Sequence, residues 1–228
     1  KRLNENANIF EVHDFEKAFN KTKGITLSTQ YRMVEPICKI ISEVFYPEIK
    51  GGLQTGRPKS PEWYDELQGT MRKSVVWVDS SADQYNEVAL NPGYYNEAEV
   101  NLIKNSLQSI VNAQDFLKKI IEDQPKNSHP IGIITLYKAQ KDKVESMISQ
   151  TDWLQPIREL IKIDTVDSYQ GQQNSIIILS LVRDNANFSQ GFLQHPERIN
   201  VALSRAQERL IIIGARNMWS KCSEESPL

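Results

Sequence analysis

Three short polar blocks hold the residues with which this chain could do chemistry. Residues 29–33 read Thr-Gln-Tyr-Arg-Met just before a helical pattern, and residues 164–171 directly follow an apolar strand pattern. Residues 198–206 predict a helix that carries Arg198 and Arg205 together with a small apolar face. Ligands of open α/β sheets bind outside the carboxyl ends of the strands, which is where residues 164–171 fall. Residues 164–171 therefore predict a polar ligand site at the carboxyl edge of a sheet.

Several common catalytic patterns are absent from the sequence. The chain has no Gly-x-x-x-x-Gly-Lys-Ser/Thr loop to bind phosphates, no Asp-Glu pair at a strand end to hold Mg²⁺, and no nucleophile with a neighbouring base. His13, His129 and His195 lack metal-ligand spacing. Cys38 and Cys222 are too few for a disulfide scaffold or a cysteine-rich zinc site. We therefore predict no metal site and no complete catalytic centre within the chain.

The composition is that of an ordinary globular domain. Among 228 residues, 27 are Lys or Arg and 29 are Asp or Glu, so the formal net charge is −2. This balance excludes a polybasic tail, but it is compatible with a local cationic groove. No apolar run is long enough to span a membrane, and the polar start has no signal-peptide core. We expect an intracellular protein, cytoplasmic or nuclear, with no membrane partner.

Short β-branched runs and amphipathic stretches form the elements that must position the three blocks. Strands are predicted at 75–78, 131–134, 161–163, 176–179 and 210–213, and helices at 35–45, 96–110, 139–148 and 196–206. The strand patterns at 176–179 and 210–213 are apolar at consecutive positions, which is typical of strands covered on both faces. The alternation predicts a doubly wound α/β fold with a mainly parallel sheet flanked by helices.

The remaining segments predict caps and connections. Asn96 and Glu99 fit a capping box at a helix start, and capping accounts for both residues. Residues 47–72 are rich in Gly, Pro and charge, which favours a loop or inserted excursion. Residues 113–129 indicate a helix extension ending at Pro125 and then a polar loop, and residues 223–228 indicate a frayed tail.

Four segments, taken in order, resemble the second RecA-like domain of superfamily 1 helicases. They read LSTQYRM at 27–33, IGIITLYKAQ at 131–140, DTVDSYQGQQNSIIILSLVR at 164–183, and GFLQHPERINVALSRA at 191–206. The sequence looks most similar to the 1B branch that includes the nonsense-mediated-decay helicase, senataxin and the Aquarius splicing helicase. The resemblance implies a RecA-like domain at 27–222, of P-loop NTPase type but without its own phosphate loop. Residues 1–26 would then lead in from a first motor domain.

The resemblance implies an ATP site between two RecA-like domains. The first domain brings the phosphate loop and the carboxylates that hold Mg²⁺, and the second brings arginine fingers, which match Arg32 and Arg205. A forked guanidinium suits the charge that spreads over transferring phosphoryl oxygens. The remaining implied nucleotide contacts are Tyr31, which would stack on adenine, and Gln170, Gly171 and Gln173. The family usually carries a ribose-binding glutamate where this chain has Gln173, whose amide oxygen also accepts hydrogen bonds but has no charge.

The resemblance also implies contacts with single-stranded DNA or RNA. The implied positions are Thr135, Tyr137, Gln140, Thr165, Ser180 and Arg183. A tyrosine beside polar donors fits stacking on bases, and the Thr165 hydroxyl suits a backbone phosphate. Simpler alternatives stay open: Tyr31 in the core, Tyr137 capping a strand end, Arg183 paired with Asp184 at the surface, and Arg32 and Arg205 as surface or ion-paired arginines.

Two functions fit the sequence. The first is the C-terminal motor domain of an ATP-dependent helicase or translocase, whose partners are single-stranded DNA or RNA and the N-terminal RecA-like domain of the same protein. Alone, such a chain is expected to be inactive. The second is a non-catalytic RecA-like module that binds a protein partner or a single strand. Both candidate fingers are present, which favours the first.

Overall fold

A five-stranded parallel sheet forms the centre of this computed structural model, which describes residues 28–222 apart from 58, 83, 124, 126, 127 and 170. The predictions for residues 1–26, for Gln170 and for the tail at 223–228 lie outside the described residues. In chain order the strands are β1 (Thr29–Gln30), β2 (Gln54–Thr55), β3 (Val75–Asp79), β4 (Glu87–Ala89), β5 (Tyr94–Asn96), β6 (Ile131–Thr135), β7 (Ile161–Thr165), β8 (Asn174–Ser180) and β9 (Ala206–Gly214).

Six α-helices of the described residues lie between or after these strands. They are α1 (Glu35–Phe45), α2 (Glu97–Asn112), α3 (Gln114–Asp123), α4 (Lys138–Gln150), α5 (Pro196–Leu203) and α6 (Arg216–Trp219). Short 3₁₀ helices occupy Glu62–Glu66, Gly69–Met71, Asp152–Leu160 and Gly191–Gln194. None of the helices in this described part has the length and apolarity that a membrane crossing requires.

The central sheet has the strand order β3-β9-β8-β6-β7, and every neighbouring pair is parallel. Alternate residues of β8 enter two apolar clusters: Ile177 and Leu179 face α1 and α5, whereas Ile176 and Ile178 face α2, α3 and α4. Coverage of both faces explains why this strand is apolar at consecutive positions. The predicted doubly wound α/β fold is confirmed.

Residues 47–72 are more ordered than the loop prediction implied. They contain β2 and two 3₁₀ helices, and Tyr64, Leu67 and Met71 are fully buried. Arg209, which is buried in β9, donates to the carbonyl oxygens of Met71 at 3.0 Å and Tyr64 at 3.2 Å. Because a buried guanidinium needs acceptors, these bonds fasten the segment to the sheet.

Two helix boundaries differ from the sequence prediction. The helix predicted to extend across Ala113 is instead two helices, because the backbone of Ala113 leaves the helical region at φ −91° and ψ 78°. The helix predicted to reach Ala206 ends at Leu203, and β9 begins at Ala206. Arg205 therefore lies in the turn between α5 and β9, where its carbonyl oxygen accepts from the Asn174 amide at 3.1 Å.

One row of paired residues crosses the whole sheet near its carboxyl edge. Thr135 pairs with Thr165 on one side and with Ser180 on the other, and Ser180 pairs with Ile213, which pairs with Val78. The five strands thus reach the same edge in register. Thr165, in the polar block 164–171, lies at this edge, whereas Arg205 lies at the opposite edge, where β8 and β9 begin.

Candidate functional site

Arg32 and Arg205 lie beside one another in a cleft of about 480 Å³. Arg32 follows β1, and its Nη1 donates to the carbonyl oxygen of Ser204 at 3.2 Å. The Arg205 Nε donates to the carbonyl oxygen of Val201 at 2.8 Å, and its Nη1 donates to that of Gln172 at 3.2 Å. The end of α5 and the turn before β8 therefore hold both guanidinium groups at one place.

No carboxylate among the described residues forms an ion pair with either arginine. Partial burial, and then the nearby charge of Arg32, lower the pKa of the Arg205 guanidinium below its ordinary value. Arg205 nevertheless stays charged, because arginine does not deprotonate in proteins near neutral pH. Two cations without an ion-pair partner among the described residues can attract an anion into the cleft, and the ion-paired alternative is wrong for the described part of the chain.

Gln173 contacts the first of these arginines directly. The Arg32 Nε donates to the Gln173 Oε1 at 3.0 Å. A glutamate at this position would pair with Arg32 and cancel its charge in the free protein, whereas the amide leaves that charge available. Gly171, two residues earlier, has a φ of +82°, which favours glycine, and Gln170 lies outside the described residues.

Arg57 positions Arg32 and was missed by the sequence analysis. Its Nη1 donates to the carbonyl oxygen of Arg32 at 3.4 Å, and its Nη2 forms an ion pair with the buried carboxylate of Glu208. The Arg57 amide donates to the Thr55 hydroxyl at 3.0 Å, next to the pairing of β2 with β1. A charged residue in a stretch rich in Gly and Pro gave no signal of this role, since its partners are distant in sequence.

Tyr31 is 75% exposed at the rim of the cleft. Its ring lies against Gly56, where a Cβ atom would overlap the ring carbons. The alternative that Tyr31 belongs to the core is therefore wrong. An exposed aromatic face beside two cations can stack on a planar ring whose attached group is anionic.

Three of the predicted nucleic-acid contacts are fully buried. Thr135, Gln140 and Ser180 have no exposed surface, so a single-stranded nucleic acid cannot contact their side chains in this structure. The Gln140 Nε2 donates to the Ser180 Oγ at 3.0 Å, and its Oε1 accepts from the Asn96 amide at 2.8 Å. The prediction that these three side chains contact the nucleic acid directly is therefore corrected. They form hydrogen bonds inside the protein, below the carboxyl edge of the sheet.

The predicted capping box at the start of α2 is half right. The Asn96 Oδ1 accepts from the Glu99 amide at 3.2 Å as an N-cap should. The Glu99 side chain, however, turns into the interior, where its Oε2 accepts from the Ser180 Oγ at 2.6 Å and the Val182 amide at 2.9 Å. Val182 has a φ of +65°, a strained conformation for a β-branched residue, and Glu99 helps to hold it.

Tyr137 and Thr165 differ in their access to solvent. Tyr137 is buried, with ring centroids 5.3 Å from Tyr94 and 5.2 Å from Phe192, so its faces are already occupied by packing. This packing corrects the prediction that Tyr137 stacks on bases. Thr165 is partly exposed at the end of β7, and its hydroxyl donates to the Ser168 Oγ at 3.2 Å. Thr165 therefore keeps the accessible position that a backbone contact requires.

Arg183 is neither at the surface nor paired with Asp184. Its Nε and Nη2 donate to the two carboxylate oxygens of Glu87 at 2.8 and 3.2 Å. The Asp184 carboxylate accepts instead from the Asn86 amide at 2.8 Å. Burial alone would raise the pKa of Glu87, but hydrogen bonds from Arg183 and its neighbours lower that pKa below its ordinary value. The ion pair between Arg183 and Glu87 joins β4 to the segment that follows β8.

The AAA domain family matches residues 9–217 of this chain. The chain belongs to this family. This AAA domain is 29% identical to the DNA polymerase alpha-associated DNA helicase A of Saccharomyces cerevisiae, over 87% of this chain and 29% of that protein. It is also 29% identical to the regulator of nonsense transcripts 1 of Caenorhabditis elegans, over 82% of this chain and 17% of that protein. The predicted relation to superfamily 1 helicases is confirmed.

The AAA domain spans less than a third of the length of these two relatives. Among solved structures, the C-terminal domain of a possible DNA helicase from Lactobacillus plantarum WCFS1 matches with a TM-score of 0.40 and 15% identity. That match covers 82% of this chain and 88% of the other.

No three His, Cys, Asp or Glu side chains of the AAA domain converge to hold a metal ion, as far as its described residues extend. The cleft itself presents guanidinium groups, which repel cations and attract phosphates. Its donors therefore fit the anionic part of a nucleotide rather than Mg²⁺.

The buried Glu99 makes the stability of the AAA domain depend on pH. Burial raises the pKa of Glu99 from an ordinary 4.5 to about 8. The stabilisation from the bound proton is complete below pH 4.5 and is lost as the pH rises towards 8, because the unfolded chain releases that proton first. Between pH 6 and 8 the free energy of unfolding should fall by roughly 2 kcal/mol from this group.

Glu99→Gln should remove this dependence while keeping a hydrogen-bond acceptor in place. Urea unfolding of both proteins at pH 6 and 8 should show the variant gaining roughly 2 kcal/mol relative to the parent at the higher pH. Glu97→Gln, at an exposed position two residues away, is the control and should leave the pH dependence unchanged. Parallel pH profiles for Glu99→Gln and the parent would show that Glu99 titrates normally.

Proposed function

We propose that this chain is the C-terminal motor domain of an ATP-dependent DNA or RNA helicase or translocase. The observation that carries the proposal is the pair of unneutralised arginines, Arg32 and Arg205, in a cleft beside the exposed ring of Tyr31. One planar surface next to two permanent positive charges matches a nucleotide, which joins a planar base to a chain of phosphates. The helicase names of the relatives support the same function.

In this mechanism the chain binds ATP from one side, and an N-terminal RecA-like domain of the same protein binds it from the other. Tyr31 stacks on adenine, while Arg32 and Arg205 exchange their carbonyl partners for phosphoryl oxygens. ATP supplies the phosphoryl group that is transferred to water, and Mg²⁺ would take its protein ligands from the other domain. The arginines stabilise the negative charge of the transition state and draw the two domains together.

The carboxyl edge of the sheet is the proposed surface for the single strand. Thr165 lies in the same row as Ser180 and Thr135, and Ser180 is bound through Gln140 and Glu99 to the start of α2. A single strand would contact the exposed side of this edge through Thr165 and nearby backbone amides. Neighbouring β-strands in this row are hydrogen-bonded to one another, so the sheet would move as a rigid body. Movement at the nucleotide site would therefore be transmitted to the bound nucleic acid.

A comparison of ATP hydrolysis by the full-length protein and by residues 1–228 alone tests this function. The full-length protein that contains this chain should hydrolyse ATP when single-stranded DNA or RNA is added, and residues 1–228 alone should not. The reason is that the described residues supply arginines but neither a phosphate loop nor metal ligands. Turnover by the purified chain alone would contradict the proposal, and a full-length protein that binds a single strand without hydrolysing ATP would favour a non-catalytic module.

A further inference from the structure

Phe192 is a large exposed aromatic side chain that no part of the proposed mechanism uses. It lies in the 3₁₀ helix Gly191–Gln194 and is 48% exposed. It packs on the buried ring of Tyr137, which in turn makes a T-shaped contact with the Tyr94 ring. The three aromatic rings therefore pack one against the next, with Tyr137 buried in the middle and Phe192 open to solvent.

The backbone under Phe192 is fixed by close packing. Gly191 has a φ of +59°, and a Cβ atom there would overlap the Tyr137 hydroxyl and the Arg183 guanidinium. Arg183 is itself buried, lies 4.2 Å from the Tyr94 ring centroid and is held by Glu87. The exposed ring thus stands on a rigid base, so little conformational entropy is lost when a ligand packs against it.

Cationic side chains lie near Phe192, and two of them are ion-paired, Arg183 with Glu87 and Arg198 with Asp167. The cavity beside it has a volume of about 520 Å³, and its described lining residues include Lys138 and Arg183 but no carboxylate. The Arg198 guanidinium lies 5.2 Å from the Phe192 ring centroid and bonds to Asp167, in the turn after Thr165. The ring therefore lies beside the proposed path of the nucleic-acid backbone, where Lys138 and Arg198, whose ion pair with the exposed Asp167 is weak, can contact phosphates.

We propose that Phe192 is a stacking platform for one base of a single-stranded nucleic acid, with Arg198 and Lys138 contacting the adjoining phosphates. This inference rests on the proposed function, since it assigns the base contact of the same groove. Open aromatic faces next to cations fit the flat bases and anionic backbone of a single strand. The platform replaces Tyr137, whose faces are packed, as the stacking residue.

Strand binding by the full-length protein tests the platform. Fluorescence anisotropy would compare an intact labelled strand with an abasic strand of equal length and charge, for the parent and for Phe192→Ala. We expect Phe192→Ala to bind the intact strand about 5- to 100-fold more weakly and to bind the abasic strand as the parent does. Only a contact with the base itself produces this difference between the two strands.

Two further variants serve as controls for the role of Phe192. Phe192→Trp should keep the affinity of the parent, and its added indole fluorescence should be quenched by the intact strand. Ile121→Ala, which truncates a side chain that is 50% exposed on α3 and outside the cavity, should bind both strands normally. Unchanged binding of the intact strand by a folded Phe192→Ala protein overturns the platform, as does an unquenched Phe192→Trp. A parent that binds no single strand overturns the proposed function as well, which separates the two failures.

Discussion

Arg205→Ala should lower the kcat of strand-stimulated ATP hydrolysis in the full-length protein by about 10³-fold or more. Arg205 has no ion-pair partner among the described residues and is anchored only by carbonyl oxygens, so its charge is free to meet the charge of the transition state. The binding of ATP should weaken much less than the rate, because the interaction is strongest in the transition state. Steady-state kinetics of the purified variant gives both quantities.

Two comparisons separate catalysis from folding in that experiment. Arg205→Lys should not restore the rate, since an ammonium cannot contact two oxygens in the plane of a guanidinium fork. Arg216→Ala, at an exposed position on α6 and away from the cleft, should keep the parental kcat. If Arg205→Ala melts far below the parent, or if it turns over ATP normally, Arg205 is a structural residue and the cleft has another purpose.

Glu87→Ala should lower the free energy of unfolding by roughly 3–5 kcal/mol, the usual cost of leaving one member of a buried ion pair alone. The Glu87 and Arg183 side chains are only 12% and 7% exposed. The Glu87 Oε2 also accepts from the Asp184 amide at 2.7 Å and the Asn185 Nδ2 at 3.0 Å. Removal of the carboxylate therefore leaves a buried cation and two further hydrogen-bond donors without their partner.

Urea unfolding of the chain measures this loss. Glu87→Gln should lose less than Glu87→Ala, because the amide oxygen still accepts hydrogen bonds but cannot neutralise Arg183. Glu43→Ala removes a solvent-exposed ion pair with Lys39 and should leave the unfolding curve nearly unchanged. Equal small losses for Glu87→Ala and Glu43→Ala would mean that Arg183 finds water when its partner is removed.

The elements of the fold were predictable because the patterns that define them are local. Residues 176–179 were predicted as a strand from consecutive apolar positions, and the structure confirms it within β8. The start of α1 at Glu35 was also correct, since Pro36 fits a first helical turn. Helix α5 was predicted too long because Leu203 and Ala206 both suit a helix, and the strand pairing of Ala206 with Asn174 is not a local property.

The candidate site was less predictable, because burial decides what a polar side chain does. Ser180 and Gln140 have the residue types of a binding surface, yet they bond to one another inside the protein. Glu99 has the position of a capping residue, yet its carboxylate supports a segment more than 80 residues away. Arg57 likewise gave no sequence signal, since its partner Glu208 comes from the last strand of the sheet.

The row of paired residues across the sheet limits how this chain can change in length. Thr165, Thr135 and Ser180 end their strands at one level. Each additional residue in a strand would displace the remainder of that strand by about 3.3 Å and turn its side chains to the opposite face. Insertions and deletions should therefore accumulate in the connections, such as those around Pro125, and be excluded from β6, β7 and β8. Sequence divergence within these three strands should be confined to exchanges of residue type at constant spacing.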